Sequence, residues 1–338
     1  MQSRANSRSR SEGFAIKSEN QKSGTGLLFR LLQITITLGL IGFLIFKINW
    51  RAVLQDFRTV LWWWIAVKSL LFIFALFLQT IRWRILLSEQ NIILKKAILF
   101  RRVWLAHFTN MFLPSFVGGD LLKIFMSWEI ATDKIAVSTS VVVDRIVGIT
   151  GLLSLMAIVG IIQYDLSIKL GVFLVPILSL IGAAVLLLML TILSPLLWIR
   201  TLILKLPWAK VKLIGDKVIN SIFVYVDKEG AILHAVLISI VMQLIWCVAT
   251  YVGFLAFHLV IPFGTVCLFS ILISIITILP ISISGWGVRE VAFILLFAEV
   301  GVESAEALSV ALLGRVMGYA ILSGGAIVFM LYRKKVDS

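Results

Sequence analysis

Six stretches of this sequence are apolar over about 20 residues each, the length that a helix needs to cross a bilayer. They lie at residues 27–46, 60–80, 135–162, 170–196, 231–258 and 306–331. Only 14% of the 338 residues are charged, whereas soluble domains carry about 25%. Because lipid offers the backbone no hydrogen-bond partners, such spans must be helical. The sequence therefore predicts an all-α polytopic membrane protein.

The positive charges indicate how the chain is oriented. The net charge of +14 does not point to nucleic acid, because the basic residues lie mostly between the spans. The tail through Arg30, residues 81–102 and residues 200–230 carry six Lys or Arg each, while residues 258–264 and 299–306 carry none. Since basic loops stay inside, we expect a cytoplasmic-membrane protein with both termini in the cytoplasm.

Two further apolar segments, 103–127 and 264–299, are interrupted in a similar way. Each contains Leu-Pro, at Leu113-Pro114 and Leu279-Pro280, followed by a pair of glycines. Each copy then leads to a helix with Arg-x-x-Gly, starting at Arg145 or Arg315. Because the predicted ends of each segment lie on one side of the membrane, we expect two re-entrant helical hairpins, entering from opposite faces.

This pattern divides the chain into two inverted halves. Residues 26–162 and 163–332 each have the order span, span, hairpin, span, and residues 210–226 predict a basic amphipathic helix on the membrane surface. Polar tails flank the halves, a disordered one at 1–25 and a short one at 333–338. Inverted repeats with broken helices are typical of transporters, whose site lies where the repeats meet.

Charged residues near both breaks indicate a binding site. A charge at the membrane centre costs at least ~2.5 kcal/mol and is usually paired or functional, arginine suits phosphate, and glycine lets a ligand approach the backbone. The candidate headgroup pocket comprises Asn110, Pro114, Gly118, Gly119, Asp120, Lys123, Asp144, Arg145, Gly285, Gly287, Arg289, Glu290 and Arg315. Alternatively, the charges neutralise one another and only fix the hairpins, or the carboxylates relay protons.

At these positions the sequence resembles the lysylphosphatidylglycerol synthase transmembrane family, over nearly the whole chain after residue 25. The residues that carry the resemblance are Arg82-Trp83, Leu86-Leu87, Asn110, Leu113-Pro114, Gly118-Gly119-Asp120, Asp144-Arg145, Pro280 and Gly285-Trp286-Gly287-Val288-Arg289-Glu290. The resemblance implies lipid translocation. The longest polar segment is about 30 residues, so we expect the standalone form, without the soluble aminoacyl-transferase domain.

The leading hypothesis is a lipid flippase that moves a phosphate-containing headgroup, of a phospholipid or a polyprenyl phosphate, by alternating access. We expect no catalytic residue, metal or cofactor. The expected partners are membrane lipids with an anionic or zwitterionic headgroup, with a separate lipid-modifying enzyme and a second copy of the chain as further candidates. Two alternatives are a non-catalytic membrane partner of such an enzyme or of a glycosyltransferase, and an intramembrane headgroup transferase.

Overall fold

The computed structural model describes residues 30–113, 117–129, 131, 133–191, 201, 209–226 and 228–331, and this part of the chain is helical without strands. Its helices are α1 (Arg30–Lys47), α2 (Trp50–Thr59), α3 (Trp62–Glu89), α4 (Lys96–Asn110), α5 (Val117–Trp128), α6 (Lys134–Ile162), α7 (Tyr164–Lys169), α8 (Leu174–Thr191), α9 (Ala209–Phe223), α10 (Glu229–Ala256), α11 (Phe263–Ile278), α12 (Val288–Ala298) and α13 (Ser304–Leu331). A short 3₁₀ turn, Ile283–Gly285, precedes α12.

Six of these helices, α1, α3, α6, α8, α10 and α13, are long and apolar enough to cross a membrane. They correspond to the six spans expected from the sequence, which confirms the all-α polytopic fold. Large apolar side chains such as Leu38, Leu70 and Leu178 remain more than half exposed on these helices. In a membrane protein these side chains face lipid, which solvates them as well as a protein core does.

The helix α3 extends beyond the predicted span at residues 60–80. It continues to Glu89, so Arg82 lies within a membrane helix and not in a basic loop after residue 80. The helix can extend because Arg82 is only 5% exposed and has a carboxylate partner inside the protein. The basic segment outside the membrane helix is correspondingly shorter.

The helices α3 and α10 form an antiparallel pair. At one end, the Leu61 amide donates to the Ala256 carbonyl over 2.9 Å. At the other end, Lys228 lies 3.7 Å from Glu89. Since α4 follows the end of α3 and α11 follows the end of α10, the short helix pairs α4–α5 and α11–α12 start at opposite ends of this pair. We call them the first and the second hairpin.

The first hairpin packs against the last membrane helix. The Trp104 indole on α4 donates a hydrogen bond of 3.0 Å to the Leu322 carbonyl on α13. The same ring lies directly on Gly325, where any side chain would overlap it. A helix of the second predicted half therefore supports the hairpin of the first.

The second hairpin is held by α1 through two hydrogen bonds. The Gln33 side-chain amide donates to the Pro280 carbonyl over 2.8 Å, and the Ile283 amide donates to the Thr37 hydroxyl over 3.0 Å. These bonds satisfy backbone groups at a break in the helix, which is necessary where water is scarce. The two predicted halves are thus interlocked.

Several of the predicted boundaries stay predictions. The tails at 1–25 and 333–338 lie outside the described residues. The helix α9 overlaps the predicted surface helix at 210–226, and its Ser221 carbonyl accepts a hydrogen bond of 2.6 Å from the Gln90 side chain. This contact docks α9 onto the end of α3, while its depth in the membrane and the division at residues 162 and 163 remain untested.

The bond from Ile283 to Thr37 should contribute measurably to stability. We expect Thr37→Val to destabilise the protein by about 1 kcal/mol, because it leaves the partly buried Ile283 N–H group without its acceptor. The measurement is thermal or denaturant unfolding of the purified protein in detergent. Thr80→Val is the matched control, since the Thr80 hydroxyl bonds only to the Leu76 carbonyl of its own helix. Equal losses from both substitutions would show that the bond to the second hairpin adds nothing.

Candidate functional site

The Asn110 side chain connects the two helices of the first hairpin at the break between them. Helix α4 ends at Asn110, and the Asn110 side-chain oxygen accepts a hydrogen bond of 2.7 Å from the Gly119 amide. A Cβ at Gly119 would overlap the Ala106 carbonyl and the Asn110 side chain, so only glycine allows α5 to come this close to α4. Gly118 similarly lies against the Leu113 side chain, and Pro114 lies outside the described residues.

A buried carboxylate, Asp144 on α6, anchors this hairpin. One Asp144 oxygen accepts from Arg82 over 2.7 Å, and the other accepts from Lys123 on α5 over 3.0 Å. Arg82 also donates to the Ser239 hydroxyl on α10 over 2.9 Å, and the Lys123 ammonium lies 4.2 Å from the centre of the Trp83 ring. We call Arg82, Lys123 and Asp144 the first charge cluster.

A second ion pair of the first hairpin is more accessible. Arg145 lies 3.1 Å from Asp120, and their side chains are 40% and 26% exposed. The pair involves the residue next to Asp144 on α6 and the residue next to Gly119 on α5. Its partial exposure means that either side chain can turn toward a ligand at low cost, because exposed ion pairs contribute at most about 1 kcal/mol.

The second hairpin has an unusual backbone at its break. Ser284, Gly285 and Gly287 have positive φ angles of 50°, 70° and 81°. Glycine adopts this conformation without a steric penalty, whereas Ser284 does so at a cost of order 1–3 kcal/mol. The turn directs two carbonyl oxygens toward Arg315, which donates to Ser284 over 3.4 Å and to Gly285 over 3.2 Å.

The second charge cluster, Glu290 and Arg315, fixes this turn in place. One Glu290 oxygen accepts from Arg315 over 2.8 and 2.9 Å, and the other accepts from the Gly287 amide over 2.9 Å. The Arg315 guanidinium also lies 4.2 Å from the centre of the Trp286 ring. Both side chains are almost fully buried, so the pair links the start of α12 to α13.

The two hairpins meet at their breaks. The Ser284 hydroxyl of the second hairpin donates a hydrogen bond of 3.3 Å to the Asn110 carbonyl of the first. Residue 110 is the last of α4 and residue 284 is in the 3₁₀ turn, so this contact joins the predicted tips. The structure therefore brings together the tips of the predicted site, but its charged residues form two separate clusters.

Two cations, the buried Lys68 and the partly buried Arg289, stand apart from both clusters. Lys68 on α3 is 7% exposed, and within the described residues neither Lys68 nor Arg289 has a hydrogen-bond acceptor or an ion-pair partner. The Arg289 guanidinium lies 5.7 Å from the centre of the Phe293 ring. Both cations border Gly314 on α13. Their nearest nitrogens are therefore no more than about 7 Å apart, a separation at which two positive charges repel each other by roughly 2 kcal/mol.

The charges around the hairpins do not balance. The nine side chains described above are Lys68, Arg82, Lys123, Arg145, Arg289, Arg315, Asp120, Asp144 and Glu290. Six are cationic and three are anionic, so this group has an excess of three positive charges. Uncompensated charge is costly inside a membrane. Chemically, the arrangement is suited to receiving an anion.

Sequence reasoning missed several residues of this arrangement. Arg82 and Trp83 follow the predicted span at residues 60–80, a position typical of an anchor at the membrane interface, but Arg82 is 5% exposed and Trp83 is fully buried. The available signal was that apolar residues continue to Leu87, which keeps Arg82 within the helix. Lys68 gave no comparable signal, because it has no counterpart in the repeat.

Comparison with known proteins identifies one family. The family described as Lysylphosphatidylglycerol synthase TM region matches residues 30–324, which includes both hairpins and both charge clusters. No curated protein and no solved structure matches the chain. The match therefore rests on the pattern of the membrane region as a whole.

The first charge cluster should contribute more to the free energy of unfolding than the partly exposed ion pair of Asp120 and Arg145. We expect Asp144→Asn to destabilise the protein by about 3–5 kcal/mol, because it leaves Arg82 and Lys123 buried without a carboxylate. Asp120→Asn is the matched control, with the same chemical change at a partly exposed pair, and should cost less than about 1 kcal/mol. Denaturant unfolding in detergent measures both. Equal effects would contradict the assignment of Asp144 as the anchor of the first hairpin.

Proposed function

The chain belongs to the family of the Lysylphosphatidylglycerol synthase TM region, and from this we propose that it is a lipid flippase. It would move a lipid with a phosphate-containing headgroup, a phospholipid or a polyprenyl phosphate, between the two leaflets. The acyl chains would remain in lipid while the headgroup passes the meeting point of the two hairpins. No covalent bond changes in this process, so the chain would act as a carrier and not as an enzyme.

The excess of positive charge at the hairpins carries this proposal. The two charge clusters use Asp144 and Glu290 fully, with both oxygens of each carboxylate engaged. The remaining cations have no carboxylate left to neutralise them, apart from the pair of Arg145 and Asp120. An anionic headgroup would supply the missing charge, and phosphate is the anion that arginine binds best in bidentate geometry.

Alternating access would proceed by separation of the hairpin tips. Among the described residues, the direct bond between the tips is one side-chain bond of 3.3 Å, from Ser284 to Asn110, and it contributes about 1 kcal/mol. The bonds within each hairpin are more numerous and involve buried charges. The contact between the tips would therefore break before the charge clusters, which join the first hairpin to α3 and α6 and the second hairpin to α13.

Access in the present conformation differs between the two hairpins. The pair of Asp120 and Arg145 is partly exposed, whereas Glu290 and Arg315 are 2% and 6% exposed. This supports a state that is open at the first hairpin and closed at the second. From the distribution of basic residues, the first hairpin would face the cytoplasm, in a cytoplasmic membrane with both termini inside.

Lipid movement by the purified protein tests the proposal. Proteoliposomes carrying fluorescent, headgroup-labelled phosphatidylglycerol, phosphatidylethanolamine or polyprenyl phosphate should exchange at least one label between leaflets faster than protein-free vesicles. Arg145→Gln should slow this exchange at least tenfold, because it removes the accessible cation of the first hairpin. Quenching of the outer-leaflet label by a membrane-impermeant reductant measures the rate.

Arg58→Gln is the control for this experiment. Arg58 lies in the last turn of α2 and is exposed, so its loss removes the same charge away from the hairpins and should leave the rate unchanged. If the native protein moves none of the three probes, the flippase proposal fails, and a role as partner of a separate lipid-modifying enzyme gains support. If Arg145→Gln moves lipid at the native rate, the pocket is not at the first hairpin.

A further inference from the structure

We propose that Lys68 and Arg289 form a binding site for one phosphate group, in the space over the bare backbone of Gly314. The site lies between α3, α12 and α13, beside the second charge cluster. As a site for the headgroup it rests on the proposed function, whereas its affinity for phosphate does not. Lys68 has no counterpart in the sequence repeat, so this site would exist at one hairpin only.

Among the described residues, neither cation has a carboxylate within ion-pair distance. The Lys68 side chain is 7% exposed, so water solvates it poorly. Glu290, the residue that follows Arg289, already binds Arg315 and the Gly287 amide. Two unsatisfied cations that border one point are therefore unfavourable to each other in the empty protein. A bound anion would relieve the repulsion.

The donor atoms of the two cations converge on one position beside Gly314. A Cβ built on Gly314 would lie 3.5 Å from the Lys68 ammonium nitrogen and 3.7 Å from an Arg289 guanidinium nitrogen. Both donors thus lie at ordinary contact distance from one position, and no side chain of residue 314 occupies it. The Lys68 nitrogen also lies against Gly253 on α10, so glycine backbone borders the site on two helices.

The donors of Lys68 and Arg289 fit phosphate better than a small anion. A guanidinium presents several N–H groups in one plane and an ammonium presents three, so together they can bind two oxygens of one phosphate. A further donor lies on the same helix as Gly314, because the Tyr319 hydroxyl is buried without a hydrogen-bond partner among the described residues and the centre of the Tyr319 ring lies 6.0 Å from the centre of the Trp286 ring. Either a lipid headgroup or free phosphate could supply this group.

Stability and binding should respond in opposite directions if this site exists. Lys68→Met should raise the melting temperature of the purified, lipid-free protein, because it removes one of two repelling charges. The same substitution should weaken binding of the short-chain probe dihexanoyl phosphatidylglycerol at least tenfold. Lys123→Met is the matched control, since Lys123 is 2% exposed but paired with Asp144, and it should lower the melting temperature.

Gly314→Ala places a methyl group at the point where the two donors converge, without altering any charge. The added methyl group fits the empty protein, since its nearest neighbours would lie at 3.5 Å or more, and alanine favours a helix over glycine. We expect an unchanged or higher melting temperature and at least tenfold weaker binding of the same probe. Native affinity in Gly314→Ala, or a lower melting temperature with native affinity in Lys68→Met, would overturn the proposal.

Three probes separate the sources of phosphate. If inorganic phosphate and sn-glycerol 3-phosphate bind as tightly as dihexanoyl phosphatidylglycerol, the site takes free phosphate. If only the lipid binds, the site takes a headgroup. Leaflet exchange is measured on the same variants: native exchange in Lys68→Met would reject this site as the headgroup site of transport and leave the flippase intact. Binding that depends on Lys68, in a native protein that moves no lipid, would keep the site and reject the flippase.

Discussion

A carboxylate inside a membrane is stable only when its oxygens are paired, and the two hairpins depend on this requirement. Asp144 holds the first hairpin through Lys123 and joins it to α3 through Arg82. Glu290 holds the second through the Gly287 amide and Arg315. Each cluster also has a cation 4.2 Å from the centre of a tryptophan ring, Trp83 or Trp286. At the second break Glu290 and Arg315 bond backbone groups directly, whereas at the first break Asn110 does so and the charge cluster holds the hairpin against α3 and α6.

The same pairing explains why the remaining cations matter. A membrane protein that needed charges only to fix its hairpins would balance them, as the second cluster does with one arginine and one glutamate. Around this cluster, Lys68 and Arg289 add two positive charges without a carboxylate. Such charges reduce the stability of the empty protein. Their retention is accounted for by a function that brings a negative charge to them, and transport of a phosphate headgroup is such a function.

Sequence alone predicted the membrane spans well, because a length of about 20 apolar residues is a strong physical requirement. It also placed the breaks near Asn110 and Gly287, since proline and glycine interrupt helices wherever they occur together. It could not assign partners: Arg82 and Asp144 are 62 positions apart and meet only through the packing of α3 on α6. Whether Arg315 contacts phosphate stays a prediction, although its donors to Glu290, Ser284 and Gly285 favour a positioning role.

The meeting of the hairpin tips is the contact on which alternating access depends, and a reversible cross-link tests it directly. Cysteines would replace Asn110 and Ser284 in a protein whose native Cys247 and Cys267 are changed to alanine. The Ser284 hydroxyl contacts the Asn110 backbone carbonyl, whereas the Asn110 side chain is directed at Gly119, so a short bifunctional methanethiosulfonate reagent is needed to span the two thiols. This reagent should join them and stop lipid exchange in proteoliposomes, and reduction should restore the exchange. A cross-linked protein that still exchanges lipid at the native rate, or cysteines that never join, would contradict transport through the space between the hairpins.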